Sequence, residues 1–224
     1  MSTNEAQIWL AWPDRLTDPA TLAQRHALLG DAERARYARF RHERDRHHYL
    51  IAHALLREAL SHGSDTTPAA WTFITDARGK PEIAPEQNPT NLRFSLSRTD
   101  GLVVCAVVRD AAIGVDVENT TRLDDPLPLA ETIFAPPEVR ALTALRGDAR
   151  RTHFFDFWTL KEAYAKATGQ GLSLPLDRFS FTIPDHGPIT IAFDAPLTDD
   201  PAAWQFALHR PGPQHRLAVA IKLL

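Results

Sequence analysis

Along this 224-residue chain one succession of sequence patterns runs to completion and then begins again, at an offset of roughly 104 to 112 positions. In the first half, Ala32-Glu33-Arg34-Ala35-Arg36-Tyr37 opens a helical stretch. A longer helix covers 45–61, where Leu50, Ala54, Leu55 and Ala59 fall at helical spacing. In the second half, Pro136-Pro137-Glu138-Val139-Arg140-Ala141-Leu142 starts a short helix, and 151–168 reads as the long one, stopped by Gly169. Leu56-Arg57-Glu58-Ala59 lines up with Leu160-Lys161-Glu162-Ala163, and the strand-like Trp71-Thr72-Phe73-Ile74-Thr75 with Phe179-Ser180-Phe181-Thr182-Ile183. Gly79 and Gly187 mark the turns that follow. Two hairpin patterns then match: Phe94 to Arg98 with Leu102 to Val108, and Phe206 to Arg210 with Leu217 to Ile221. The expectation is an α+β fold of two similar halves, 1–110 and 111–224, related by a pseudo-twofold duplication. Ligand is expected at their interface, since domain junctions commonly hold ligands. The stretch 119–129, with its Asp124-Asp125-Pro126 turn signal, reads as a surface loop.

With 44% hydrophobic residues such a chain can bury a sizeable core. A formal charge of -3 argues against a broad nucleic-acid footprint, so any anion site must be a local cluster. Residues 1–5 lack a basic stretch followed by an apolar run, and no segment approaches the length of a membrane span, which implies a cytoplasmic protein. Cys105, the only cysteine, lies in the apolar run from Leu102 to Val108 and reads as a buried small hydrophobe rather than a nucleophile.

Ile113-Gly114-Val115-Asp116-Val117-Glu118 is an apolar strand pattern with carboxylates two residues apart, which places both on one face. Adjacent carboxylates in apolar surroundings need a shared proton or a cation, and oxygen-only ligands favour a hard ion such as magnesium. The alternative is an edge strand with an outward polar face. In Phe157-Trp158-Thr159-Leu160-Lys161-Glu162-Ala163-Tyr164-Ala165-Lys166, residues Trp158, Glu162 and Lys166 share one helical stripe with Lys161 alongside. An ordinary Glu162–Lys166 ion pair on a wet helix face would explain that stripe equally well.

Together the Asp-x-Glu strand and the Trp-x-x-Lys-Glu-x-x-x-Lys helix resemble the paired signatures of the 4'-phosphopantetheinyl transferases. The resemblance extends to Ser173-Leu174-Pro175-Leu176 after the helix, to Gly79-Lys80-Pro81 before it and to the basic amino-terminal helices. In length the chain is similar to the monomeric, two-lobed Sfp-type branch. The resemblance implies transfer of the phosphopantetheine arm of coenzyme A to a serine of an acyl or peptidyl carrier protein. Adenosine 3',5'-bisphosphate would leave, and neither nucleic acid nor membrane would take part. It implies that Asp116, Glu118 and Glu162 bind magnesium with the coenzyme A pyrophosphate, and that Lys166 and Lys161 steady phosphate charge. Asp116, Glu162 and Lys166 would be the catalytic residues, with Glu162 the candidate acceptor of the serine proton. The first half would hold the nucleotide: Arg36 for the 3'-phosphate, out of the run Arg34, Arg36, Arg39 and Arg41, with Gly79, Lys80 and Pro81 as a turn approaching the nucleotide.

The chain departs from the family pattern in places. Where the family commonly has Phe-Asn-x-Ser-His-Ser, this sequence reads Phe94-Ser95-Leu96-Ser97-Arg98-Thr99, so Ser97 and Arg98 would face the pyrophosphate without a histidine base. His48 stands where an arginine is frequent, making 3'-phosphate binding weaker above pH 7. Rival readings are a different magnesium phosphotransfer or phosphohydrolase enzyme, and a non-catalytic protein that holds carrier domains or coenzyme A. Leu127, Leu129, Ile133 and Phe134 are candidates for a carrier docking patch or, alternatively, for the second core.

Overall fold

A computed structural model describes residues 5–76 and 79–223. Residues 1–4, part of the segment read above for a leader, lie outside it. The chain divides into two compact units, Met1–Asp110 and Ala111–Leu224. The first runs β1 (Gln7–Ala11), α1 (Pro19–Leu28), α2 (Asp31–Ala38), α3 (Glu43–Ser61), β2 (Phe73–Thr75), β3 (Pro81–Ile83), β4 (Leu92–Thr99) and β5 (Leu102–Arg109). The second repeats that order as β6 (Ala112–Asn119), α4 (Leu127–Ile133), α5 (Pro136–Thr143), α6 (Gly147–Thr168), β7 (Phe179–Thr182), β8 (Thr190–Phe193), β9 (Trp204–His209) and β10 (His215–Lys222). Each unit has a three-stranded antiparallel sheet, β1-β5-β4 or β6-β10-β9, and a two-stranded hairpin, β2-β3 or β7-β8.

The packing repeats as well. In the first unit Ile51, Leu55, Leu56, Ala59 and Leu60 of α3 meet Val103, Cys105 and Val107 of β5. Cys105 is fully buried, and burial pushes its thiol pKa far up, which leaves it unreactive. In the second unit Phe154, Leu160, Ala163, Tyr164 and Ala167 of α6 meet Ala218 and Ala220 of β10, with Phe179 and Trp204 closing the cluster. Glu33, in the first turn of α2, accepts from the Gly30 N–H at 2.8 Å and is ion-paired to Arg57 of α3 at 2.6 Å. Glu138, in the first turn of α5, accepts from the Ala135 N–H at 3.1 Å and is paired to Lys161 of α6 at 2.8 Å. Both cations also donate to carbonyls on the way to the next strand: Arg57 to those of Pro68 and Trp71, Lys161 to those of Leu176 and Phe179. One device, a helix-start carboxylate tied to a cation on the long helix, thus orders both units.

Two expectations change at the start of the second unit. Only part of 119–129 is loop: Thr120–Arg122 forms a 3-10 turn and α4 begins at Leu127, whose N–H is accepted by Asp125 at 3.2 Å. The Asp-Pro signal therefore starts a helix. Of the apolar residues offered for docking, Phe134 is buried against Phe154 with ring centroids 5.0 Å apart, and Leu127 and Ile133 pack on the same core. Leu129 alone of the four is exposed.

Candidate active site

Strand β6 lies at the edge of its sheet, yet its carboxylates are not turned to water. Gly114, Asp116 and Glu118 share the face covered by α6. A Cβ at Gly114 would stand 1.9 Å from the Ala163 carbonyl oxygen and 2.6 Å from the Ala167 nitrogen, so glycine is what lets helix and strand approach this closely. Across that contact Lys166 Nζ pairs with Asp116 Oδ1 at 2.6 Å and donates to the Val115 carbonyl at 3.1 Å. Trp158 Nε1 donates to Glu118 Oε1 at 3.1 Å. Glu162 sits one turn from each of these helix residues; burial first, and then the Asp116 carboxylate, raise its pKa, while Lys166 and Arg122 oppose the rise. The helix stripe and the strand carboxylates therefore meet, and the wet-face alternative for both motifs is excluded. The partner strand-by-strand of β6 in the first unit, β1, reads Gln-Ile-Trp-Leu-Ala and carries no carboxylate.

The cluster is not a finished metal cage. Among the described residues no group of three His, Cys, Asp or Glu side chains is arranged to hold a metal ion. Cations stand on two of these carboxylates: Lys166 on Asp116, and Arg122 Nη2 on Glu118 Oε1 at 3.0 Å. The donor set nevertheless fits magnesium, being carboxylate oxygen throughout, and magnesium asks for few protein ligands because it keeps waters and phosphate oxygens.

Lys161 is a correction. It was expected at the phosphates, but its side chain is 0% exposed and is held by Glu138, likewise 0% exposed, and by two carbonyls at 2.7 and 2.6 Å. A rotation of about 100° per helical residue carries it away from the stripe of Glu162 and into the core. Burial pushes the Lys161 pKa down and the Glu138 pKa up, and their mutual attraction opposes both shifts. Lys161 is a structural cation.

The residues expected around the nucleotide are distributed over the first unit. His48 and Arg98 line one small open pocket of about 210 Å³ with Arg44, Asp45, Thr99 and Asp100, where Arg44 and Asp100 form an ion pair. His48 is buried, with no hydrogen-bond partner for Nε2 among the described residues. Burial first, then Arg44, His47 and Arg98, lower its pKa against the opposing pull of Asp14, so its charge is lost below the ordinary histidine range. Ser97 falls on the opposite face of β4 from Arg98 and outside that pocket. Arg36 borders a separate open groove of about 800 Å³ with Ala32, Ala35, Arg39 and Phe40, its guanidinium 5.7 Å from the Tyr49 ring. Gly79, at φ 86°, precedes Lys80 and Pro81 in the β2–β3 turn, where the Lys80 N–H donates to Asp76 at 2.8 Å and burial lowers the Lys80 pKa. Open space surrounds Gly79, so the turn conformation is what requires glycine.

Sequence reasoning missed Arg122. Its signal was four residues from Glu118, but that spacing carries meaning inside a helix and not across a strand end.

Comparison with known proteins agrees with this architecture. Residues 112–221 match the family described as the 4'-phosphopantetheinyl transferase superfamily, and residues 17–109 match one described as 4'-phosphopantetheinyl transferase, N-terminal. A Bacillus subtilis protein named 4'-phosphopantetheinyl transferase is 33% identical over 165 residues, covering 74% of this chain and 71% of its own. The 4'-phosphopantetheinyl transferase Sfp of Bacillus subtilis strain 168 is 28% identical over 193 residues, 86% of this chain and 82% of its own. The psf-1 4'-phosphopantetheinyl transferase of Bacillus pumilus is 30% identical over 190 residues, 85% and 77%. The chain belongs to the 4'-phosphopantetheinyl transferase superfamily.

Proposed function

We propose that this chain moves the 4'-phosphopantetheine of coenzyme A to a serine hydroxyl of an acyl or peptidyl carrier protein in a magnesium-dependent reaction. The observation that carries the reading is the convergence of Asp116, Glu118, Glu162 and Lys166 where β6 meets α6, within a member of this superfamily. The serine oxygen forms a bond to the phosphorus that bears the pantetheine, and the bond from that phosphorus to the bridging oxygen breaks, releasing adenosine 3',5'-bisphosphate. Asp116, Glu118 and Glu162 would hold the metal, which when bound supplies positive charge to the pyrophosphate oxygens. Lys166, partly exposed, adds a fixed charge beside them. Glu162, whose pKa burial raises, is suited to take the serine proton. Arg36, His48, Arg98 and the Gly79-Lys80-Pro81 turn are assigned to the nucleotide end, with Ser97 contributing only if its backbone does. A neutral His48 would give a hydrogen bond to a phosphate rather than a charge, unless the phosphate itself raises the imidazole pKa.

The test is mass spectrometry of apo carrier domains incubated with coenzyme A and magnesium, with and without Asp116→Ala. The expected result is a phosphopantetheine mass gain that Asp116→Ala abolishes. Unchanged transfer by the variant refutes the role of Asp116. Release of adenosine 3',5'-bisphosphate without any carrier would favour a phosphohydrolase instead. A monomeric state and a cytoplasmic location are part of the proposal, checked by light scattering and cell fractionation. No helix of the described residues is long and apolar enough to cross a membrane.

A further inference from the structure

Arg122 stands at the rim of the carboxylate cluster, closing the 3-10 turn that follows β6. Its guanidinium shares Glu118 Oε1 with the Trp158 indole N–H, at 3.0 and 3.1 Å. The two partners differ sharply in exposure: the Glu118 side chain is 11% exposed and that of Arg122 is 51% exposed. Glu118 is thus fixed in the wall, while the arginine head reaches it from solvent and can withdraw without leaving a cavity. In the same conformation the guanidinium carbon lies 5.8 Å from the Phe155 ring centroid. Lys166 differs, for it is anchored to Asp116 and to the Val115 carbonyl together.

We propose that Arg122 is an exchangeable counter-ion: it neutralises Glu118 while no divalent ion is bound, and turns to a phosphate oxygen of the coenzyme A pyrophosphate once the ion takes that carboxylate. The inference rests on the metal assignment made above. Its chemistry is that of a planar guanidinium, which matches phosphate as well as carboxylate in fork geometry. Clustered carboxylates without a metal would repel one another and spread the strand from the helix; a cation that is held weakly prevents this yet yields to a divalent ion.

The experiment measures Mn²⁺ binding by electron paramagnetic resonance without coenzyme A, and then KM for coenzyme A in carrier loading, for wild type, Arg122→Ala and Arg122→Lys. With the competing cation removed, Arg122→Ala should bind Mn²⁺ about two- to fivefold more tightly, the ratio set by a half-exposed ion pair. Its KM for coenzyme A should rise about tenfold or more as a charge-assisted phosphate contact is lost. Arg122→Lys should fall between wild type and Arg122→Ala on both measures. Mn²⁺ binding that is unchanged or weakened in Arg122→Ala, or an unmoved KM, overturns the inference alone. A wild-type protein that binds no Mn²⁺ overturns the metal assignment and this inference together.

Discussion

Replacing Lys161 with methionine separates a structural cation from a phosphate ligand. Lys161 Nζ makes contacts of 2.8 Å to Glu138 and 2.7 and 2.6 Å to the Leu176 and Phe179 carbonyls, with both charged side chains 0% exposed. Methionine fills the aliphatic volume but leaves the Glu138 carboxylate buried with, among the described residues, only the Ala135 and Phe181 N–H groups as donors, at 3.1 and 3.0 Å. Removing one partner of a fully buried pair costs about 3–5 kcal/mol, a large share of a typical domain stability of about 5–15 kcal/mol. A second substitution, Glu138→Gln, discharges the stranded carboxylate but keeps an acceptor oxygen for one of those two N–H groups only, since they bond to different carboxylate oxygens, and should recover a part of that loss. The assay is urea unfolding followed by fluorescence, for which Trp158 and Trp204 report on the second unit. The matched control is Lys166→Met, whose side chain is 30% exposed and which should cost transfer activity far more than stability. If Lys161→Met stays within about 1 kcal/mol of wild type and loses only coenzyme A binding, the structural assignment is wrong.

Acid sensitivity in the first unit should trace to Glu33. Burial alone would raise its pKa, but His53, Arg57 and the Gly30 N–H outweigh burial and hold it at about 2, against 4.5 for an ordinary glutamate. A depressed folded pKa gives stability that is complete above pH 4.5 and is lost as pH falls from 4.5 through about 2. The shift is worth roughly 3 kcal/mol, and Glu33→Gln should remove that acid-dependent part of the unfolding free energy; an unaltered pH profile between those limits refutes the assignment. Gly114→Ala should destabilise the second unit by about 1–3 kcal/mol or more, because the obstruction is helix backbone that cannot swing aside. It should also lower transfer activity in the molecules that remain folded, and a variant with wild-type melting temperature and rate refutes the close-approach argument.

The elements that sequence made legible are those whose pattern is local. The long helices could be read because Leu50, Ala54 and Leu55, or Phe157, Leu160 and Tyr164, recur at helical spacing, and β5 because its apolar run is unbroken. Asp116 and Glu118 were legible as a pair because alternation alone puts them on one face. The ion pairs were not, since Glu33 and Arg57 are 24 residues apart on different helices and nothing local links them. Lys161 misled because it adjoins Glu162 in sequence. Its helical neighbours Phe157, Tyr164 and Ala165, at i−4, i+3 and i+4, are all buried apolar residues, and that was the available signal that it points inward. The expectation for 119–129 failed for a related reason, because an aspartate before proline reads alike as turn former and as helix start.

Comparing the units position by position separates what the fold needs from what the chemistry needs. Arg57 and Lys161 occupy the same place on the long helix, each tied to a helix-start glutamate and to carbonyls downstream, so a cation there serves folding in a unit with carboxylates on its first strand and in one without. The next residue is glutamate in both, yet its surroundings differ: Glu58 pairs with Arg25 at 3.2 Å on α1, while Glu162 faces Asp116 and has its pKa raised. What turns the shared glutamate into a candidate catalytic group is therefore the strand opposite it, where Gly114 permits close approach and Asp116 and Glu118 supply charge that β1 lacks. Grafting carboxylates onto β1 alone would leave Glu58 committed to Arg25, so a second site should not arise from that change by itself.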